Sequence, residues 1–371
     1  VAGEALTTTL DFNRSSNAAL LAAVAERYKA PKVIGRYTGY IESFSGKGLP
    51  AILSFSHLAS MLGMDGAKLH AISFATHLFY REFSIPKKSG GSRRILAPTP
   101  ILDIAQRWVL KHVLTTGYPT VEECVSAYAK GKSILTHVRP HVEAEQLVKL
   151  DFKDFFPSIS THQIFRVFND LGYTGAVSRT LAALMTVNGR LPQGAATSPL
   201  LSNIVLGEFD VATSTLCSER GLAYTRYADD LVFSGKDVSH IASAVDELAE
   251  SFGFRLNHQK TKHYDSKAEP RHVTGLLLIN GEVRLPKEMR RRIRMQSHIF
   301  IKNLHSIIDG GQDAFTTEGK SNIHHRDKVD DLLFADRIIG RLKYWSWVEK
   351  DHPYPKIALN KIDAILRMRL Q

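Results

Sequence analysis

The stretch "YTRYADDLVF" (residues 224–233) sets two adjacent aspartates, Asp229 and Asp230, between two runs of strand-forming residues. Neighbouring carboxylates repel, and Asp is a poor strand former, so folding alone favours almost any other pair there. The flanking arms "LAYTRY" and "LVFSG" read as a hairpin with the aspartates near its turn. Upstream, "QLVKLDFKDFF" (146–156) reads as a short apolar strand running into Asp151. If these strands are neighbours, three carboxylates converge, an arrangement whose repulsion divalent cations relieve.

Mg²⁺ takes hard oxygen ligands and keeps only one or two carboxylates, so three aspartates suit a pair of ions. Two ions about 3.5 to 4 Å apart can serve an in-line phosphoryl displacement. The reaction expected from these residues is nucleotidyl transfer. Charge elsewhere agrees. The net charge is +11, and the basic residues cluster in "IPKKSGGSRRI" (85–95), "NHQKTKH" (257–263) and "LPKEMRRRIRM" (285–295). One such run is ordinarily a solvated face, but three around an acidic centre favour a polyanion, hence nucleic acid.

A hydrophobic content of 44% and a charged content of 23% are those of a globular chain with a core, here long enough for two or three subdomains. No run approaches the roughly 18 apolar residues of a membrane span. The opening "VAGEALTTTL" lacks the basic-then-apolar order of a secretion signal, so the expectation is a cytoplasmic protein without a membrane partner. Cys124 and Cys217 lack paired spacing and read as two reduced thiols.

Along the chain, residues 17–28 predict a helix capped by Asn17, followed by a Gly, Ser and Tyr-rich connection to about residue 50. Residues 55–64 predict a short helix with Ser56 as its cap, and 81–98 a basic hairpin around a Gly-Gly turn. Residues 100–114 are helical in period, Ser198 to Cys217 predicts one long buried helix, and 238–254 another. Beyond residue 286 the pattern is helical and basic, with Pro286 placed to start a helix and Met289, Ile293 and Phe300 spaced to face inward. Strands interspersed with helices imply an α+β sheet backed by helices on one face.

"YADD" between strands, "LDFKDFFPSI" before it and "LPQGAATSPLLSN" between the two resemble, in order, the palm motifs of reverse transcriptases. An Asp-Asp pair alone is weak, since it recurs at 330–331, but three long motifs in register are specific. The resemblance implies a right-hand polymerase with an antiparallel palm sheet and a helical thumb. Residues 1–60 would form an N-terminal helical extension, 61–150 the fingers, 151–285 the palm (with a fingers part near 162–192) and 286–371 the thumb. It implies Asp151 and Asp229 as principal ligands of two Mg²⁺ ions, for which Mn²⁺ could substitute, Asp230 as the third carboxylate, and the Phe152 carbonyl as a further ligand. Phe156 would pack under the sugar and exclude a ribose 2′-hydroxyl. Gln193 and Gly194 would lie beside the incoming nucleotide, where glycine permits close backbone approach. Lys87, Arg93 and Arg94 would close on the triphosphate, and Lys260 would act near the leaving phosphate as a general acid.

Two further stretches resemble the bacterial retron enzymes within that family. Val273, Thr274 and Gly275 match a Val-Thr-Gly signature, while "HVRPH" (137–141) keeps only the final His of an Asn-Ala-x-x-His segment. His137 and His141 have the spacing of a metal pair, but Pro140 and the lack of a third ligand argue for structural histidines. The retron resemblance implies copying of part of a structured non-coding RNA into DNA, with an RNA-linked branched product, msDNA, and a role in antiviral defense. Val273, Thr274, Gly275, Arg290, Arg291 and Arg294 become the expected RNA contacts. The partners are that RNA and its DNA product, dNTPs, and an effector or toxin protein as a candidate. The alternatives are a standalone antiphage reverse transcriptase outside the retron group, and a palm-like protein that binds RNA without chemistry. No nuclease motif follows residue 300, which sets aside a complete intron-encoded enzyme.

Overall fold

The computed structural model describes residues 14–86, 90–308 and 327–367. The chain divides into two compact units, the first formed by residues 1–133, 149–233 and 239–261, the second by 134–148, 234–238 and 262–371. Helices and antiparallel sheets mix in the α+β manner expected.

The first unit opens with two helices, Arg14–Arg27 and Pro31–Gly46. The second of these replaces the expected connection. Pro31 occupies its first turn, and Ile41 and Phe44 are buried at a spacing of three, so an apolar face outweighs the Gly and Ser content that suggested a loop. Asn17 lies within the first helix rather than capping it, and its amide donates to Ser45 Oγ at 2.7 Å. Ser54, not Ser56, caps the helix Phe55–Met61, its hydroxyl accepting from the His57 N–H.

Strands β1 (Tyr80–Pro86) and β2 (Ser92–Pro98) form the expected basic hairpin, in register from Tyr80 opposite Pro98 to Pro86 opposite Ser92. Gly90 and Gly91 both have positive φ, 89° and 77°, which is why a Gly-Gly pair serves this turn. The helix Pro100–Val109 follows, with Leu102, Ala105 and Val109 buried.

Strands β3 (Gln146–Asp151), β4 (Ala223–Tyr227), β5 (Asp230–Gly235) and β6 (Lys262–Tyr264) lie in the order β4-β5-β3-β6, and β3 and β5 each contribute residues to both units. Helices Thr161–Asp170 and Gly175–Met185, unread in the sequence, carry buried Ile164, Phe168, Leu181 and Leu184. The start of the first of them was legible as a capping box: Ser160 and Gln163 exchange hydrogen bonds between side chain and backbone. The single long helix expected from Ser198 is instead two, Ser198–Val205 and Gly207–Glu219, with Leu206 at the junction (φ −86°, ψ 0°). Asp210 N–H still donates to Leu206 O at 2.8 Å, so the break is a local kink beside a glycine.

The second unit contains a three-stranded antiparallel sheet that the sequence reading passed over: β7 (Arg271–Val273), β8 (Leu276–Ile279) and β9 (Glu282–Arg284). Thr274 and Gly275, both at positive φ, make the β7–β8 turn. Helices Lys287–Ile308, Asp327–Val348 and Pro353–Arg367 pack around Ile293, Phe300, Ile338, Leu342, Trp345 and Ile362. His137 and His141 are fully buried here, bonded to Thr274 Oγ1 at 3.1 Å and Ser234 Oγ at 2.7 Å. Burial first, and then the Arg271 charge, push His141 down to about 3, so it stays neutral, as a structural histidine does. Among the described residues no helix is long and apolar enough to cross a membrane.

Candidate active site

Asp151 closes β3 and is only 5% exposed. Its main chain is held from two sides. Phe152 N–H donates to Asp229 O at 3.0 Å, while Asn257 N–H donates to Asp151 O at 2.7 Å. The Phe152 ring anchors this junction among Phe155, Phe209 and Phe254, with ring centroids 5.8, 5.4 and 5.4 Å away. Asp229 sits in the two-residue turn joining β4 to β5, and Asp230 is the first residue of β5. Ala228, the other turn residue, has a φ of 58°, a left-handed conformation that costs an alanine roughly 1–2 kcal/mol.

Two lysines face this acidic cluster. Lys260 Nζ lies 2.7 Å from Asp151 Oδ1, and Lys149 Nζ lies 3.1 Å from Asp230 Oδ1. Burial, opposed by the hydrogen bond from Lys260, leaves Asp151 above the usual carboxylate range. Burial, then the charges of Asp151 and Asp230, push Asp229 up to about 6. For Lys260, burial pulls the ammonium down but the Asp151 contact outweighs it and the net shift is upward.

The three expected carboxylates lie near enough for the charges of Asp151 and Asp230 both to act on Asp229. Among the described residues no three His, Cys, Asp or Glu side chains are grouped so as to hold a metal ion. Asp151 and Asp230 are each paired with a lysine. The donor chemistry fits a hard divalent cation: the oxygens are carboxylates, and after burial, the largest cause, the charges of Asp151 and Asp230 raise Asp229 against the opposing Lys260.

The remaining expected residues distribute as follows. Phe156 is half-buried at the start of the short helix Phe155–Ser158, edge-on to Phe155 at 5.1 Å. Gln193 O accepts from Leu96 N–H at 2.9 Å, tying the "LPQG" turn to β2. Gly194 has a φ of 129°, and a Cβ there would sit 2.7 Å from Leu96 O, so only glycine fits. Arg93 and Arg94 are exposed on β2, with Arg94 paired to Glu82 across the hairpin at 2.6 Å. Lys87 lies outside the described residues.

In the second unit, Val273 is fully buried, so its side chain offers no surface to RNA. Thr274 and Gly275 occupy the β7–β8 turn. Arg291 and Arg294 are exposed as expected, although Arg294 lies over the Trp345 and Tyr354 rings at 5.4 and 5.2 Å. Arg290 is half-buried, with Nη1 3.7 Å from Glu349 Oε2.

Sequence reading missed two residues of the site. Lys149 lies two positions before Asp151, and strand alternation puts both on one face, so that signal was available. Tyr128 had none. It is 49% exposed with a φ of 57°, and its hydroxyl is raised by burial and then by the Asp229 charge, with Arg93 opposing.

Acidic residues at adjoining strand ends, two of them paired with lysines, and a basic hairpin tied to the "LPQG" turn are the parts expected of a polymerase site. Residues 85–278 match the family described as reverse transcriptase (RNA-dependent DNA polymerase), and the chain belongs to that family. Retron Ec86 reverse transcriptase of Escherichia coli is 30% identical over 321 residues, which cover 85% of this chain and 94% of that protein. Retron Mx162 reverse transcriptase of Myxococcus xanthus is 33% identical over 300 residues, 69% of this chain and 61% of the relative. A solved structure, telomerase from Candida albicans with a fragment of telomeric RNA, aligns with a TM-score of 0.40 at 13% identity over 77% of this chain and 63% of its own, a likeness too low to carry argument. The chain is an RNA-directed DNA polymerase of the retron type.

Proposed function

We propose that this enzyme copies part of a structured non-coding RNA into DNA by two-metal nucleotidyl transfer, leaving an RNA-linked product, in a bacterial cytoplasm and in the setting of defence against phage. The observation that carries the reading is the junction of Asp151 with Asp229 through the Phe152–Asp229 backbone bond, where burial and then the neighbouring carboxylates raise Asp229. Asp151 and Asp229, with Asp230 and the Phe152 carbonyl, are the residues that would hold Mg²⁺ or Mn²⁺. Bound there, the ions supply charge neutralisation for the triphosphate and a lowered pKa for the primer 3′-hydroxyl.

The chain's own groups do the rest in this reading. Lys260, its ammonium near the carboxylates, gives a proton to the leaving pyrophosphate. Arg93 and Arg94, with Lys87, take the triphosphate oxygens as fingers, for which the planar guanidinium fork is suited. Gln193 and Gly194 form the floor beside the nucleotide, and Phe156 denies space to a 2′-hydroxyl. Residues 151–285 act as palm and residues from 286 as a thumb whose exposed arginines meet RNA through phosphates and 2′-hydroxyls.

The test is extension of a primed RNA template with dNTPs and Mg²⁺, together with sequencing of nucleic acid that copurifies with the protein. A branched RNA–DNA molecule from one RNA species is the expected result. A purified enzyme that extends primers but carries only DNA unlinked to RNA overturns the retron product, and one with no metal-dependent synthesis overturns the chemistry.

A further inference from the structure

The guanidinium of Arg226 is fully buried in the first unit, two residues before the turn that carries Asp229. It forms a two-point contact with Asp210: Nε to Oδ1 at 2.8 Å and Nη2 to Oδ2 at 2.5 Å. Its remaining fork is aimed at the turn itself. Nη1 donates to Ala228 O at 3.2 Å and to Asn203 Oδ1 at 3.1 Å. Asn203 in turn donates to Ala127 O at 2.9 Å, one residue before Tyr128. Tyr224 OH donates to the same Asp210 at 2.8 Å. The Arg226 main chain is also bound to the 124–126 segment as a parallel bridge, N–H to Cys124 O at 2.8 Å and carbonyl to Ser126 N–H at 2.9 Å.

A buried ion pair is a poor source of net stability, because removing both charges from water costs about as much as their attraction returns. Its placement is therefore the informative feature. Ala228 holds a left-handed conformation that a non-glycine residue keeps only when its surroundings over-determine it, and the Arg226 donor grips that residue's carbonyl.

We propose that Arg226, oriented by Asp210 and Asn203, is a positioning residue for the polymerase reaction: it locks the strained Ala228 turn and thereby fixes where Asp229 presents its carboxylate to the catalytic cation. The inference rests on the reading of Asp229 as a metal ligand. Sequence order shows why the three belong together: Asn203 closes the "LPQGAATSPLLSN" stretch, Asp210 follows across the kink at Leu206, and Arg226 precedes "YADD". The network thus links the nucleotide-floor segment to the aspartate turn through buried polar atoms, where each lost partner leaves another unsatisfied.

The test uses the full chain and two variants. Arg226→Lys keeps the charge facing Asp210 but lacks the fork that reaches Ala228 O and Asn203 together. Arg226→Met combined with Asp210→Asn removes the pair without stranding a charge and leaves Tyr224 an acceptor. Both are expected to fold cooperatively, to lose roughly 10- to 100-fold in kcat with dNTP KM little changed, and to bind Mn²⁺, followed by electron paramagnetic resonance of the free ion, about 10-fold more weakly. Amide exchange across residues 226–231 and at Phe152 should quicken in both. A folded variant with wild-type kcat and Mn²⁺ affinity overturns the proposal. So does wild-type protein in which the Phe152 amide exchanges freely without global unfolding, a measurement that needs no variant. The underlying reading fails separately: an active Asp229→Asn enzyme sinks the ligand assignment, whereas an inactive Asp229→Asn beside a fully active Arg226→Lys sinks only the positioning role.

Discussion

The N–H of Phe152 donates to the carbonyl oxygen of Asp229 at 3.0 Å, so the end of β3 and the turn after β4 are joined by main-chain atoms alone. The spacing of Asp151 and Asp229 is consequently a property of the backbone, and the carboxylates can be altered one at a time without moving the strands that carry them.

Replacing Asp229 by Asn should abolish primer extension while raising the stability of the ion-free protein. The sign follows from the shift of Asp229 to about 6 from an ordinary value of 3.8. Below 3.8 the residue is neutral in both states and costs nothing. As pH rises through that window toward 6, the native state holds a proton that the unfolded chain releases, so stability falls, by on the order of 3 kcal/mol at most. Urea midpoints in EDTA between pH 4 and 8 should decline in wild type and stay flatter in Asp229→Asn. Added Mg²⁺ should restore the wild-type midpoint only, and identical pH profiles would remove the charge argument.

Phe156→Ala should open space beside Phe155 for a 2′-hydroxyl. The expected outcome is a rise of about tenfold or more in ribonucleotide over deoxyribonucleotide incorporation, measured as the ratio of kcat/KM values. An unchanged ratio takes Phe156 out of the gating role.

The candidate site was more legible in the sequence than the frame around it, for a physical reason. Asp151, Asp229 and Asp230 announced themselves because acidic residues at strand ends oppose folding preferences and so call for another explanation. The helix Pro31–Gly46 was hidden by Gly and Ser residues whose cost is offset by burial of Ile41 and Phe44, a tertiary effect that composition does not display. The three strands from Arg271 to Arg284 are only three to four residues long, too short for a period of two to emerge. The lysine pairs beside the carboxylates depend on strand neighbours, and the Arg226 contacts join segments far apart in the chain.

Gly194→Ala should damage both stability and nucleotide use. The new methyl meets Leu96 O at 2.7 Å and Ile95 Cγ2 at 2.9 Å, and the φ of 129° is itself closed to alanine. More than about 1 kcal/mol of stability should be lost, because the turn or β2 must shift. The Leu96 N–H bond to Gln193 O goes with it, so dNTP KM should rise more than the Tm change alone explains. Thermal melts and single-nucleotide kinetics on the same preparation decide this, and a wild-type KM would detach the "LPQG" turn from the nucleotide.

The arginines of the helix Lys287–Ile308 should separate into two classes when each is changed to Ala. Arg290 is held against Glu349, whose carboxylate also accepts the Leu285 N–H at 2.7 Å. Removing it leaves a largely buried carboxylate short of a partner, so Arg290→Ala should cost about 1–3 kcal/mol of stability. Arg291 is exposed, and its loss should leave stability within about 0.5 kcal/mol of wild type. If Arg291 meets an RNA phosphate, Arg291→Ala should instead weaken RNA binding and lower the slope of log K against log salt by about 1, one counterion fewer being released. Because Asp151, Asp229 and Asp230 are untouched, extension of a short generic primer-template should fall less than synthesis on the copurifying RNA. Filter binding from 50 to 300 mM salt (roughly the range where phosphate contacts dominate) and parallel extension assays make the comparison. Equal loss on both substrates would turn this helix into a general duplex clamp, and an unchanged salt slope would place Arg291 away from RNA.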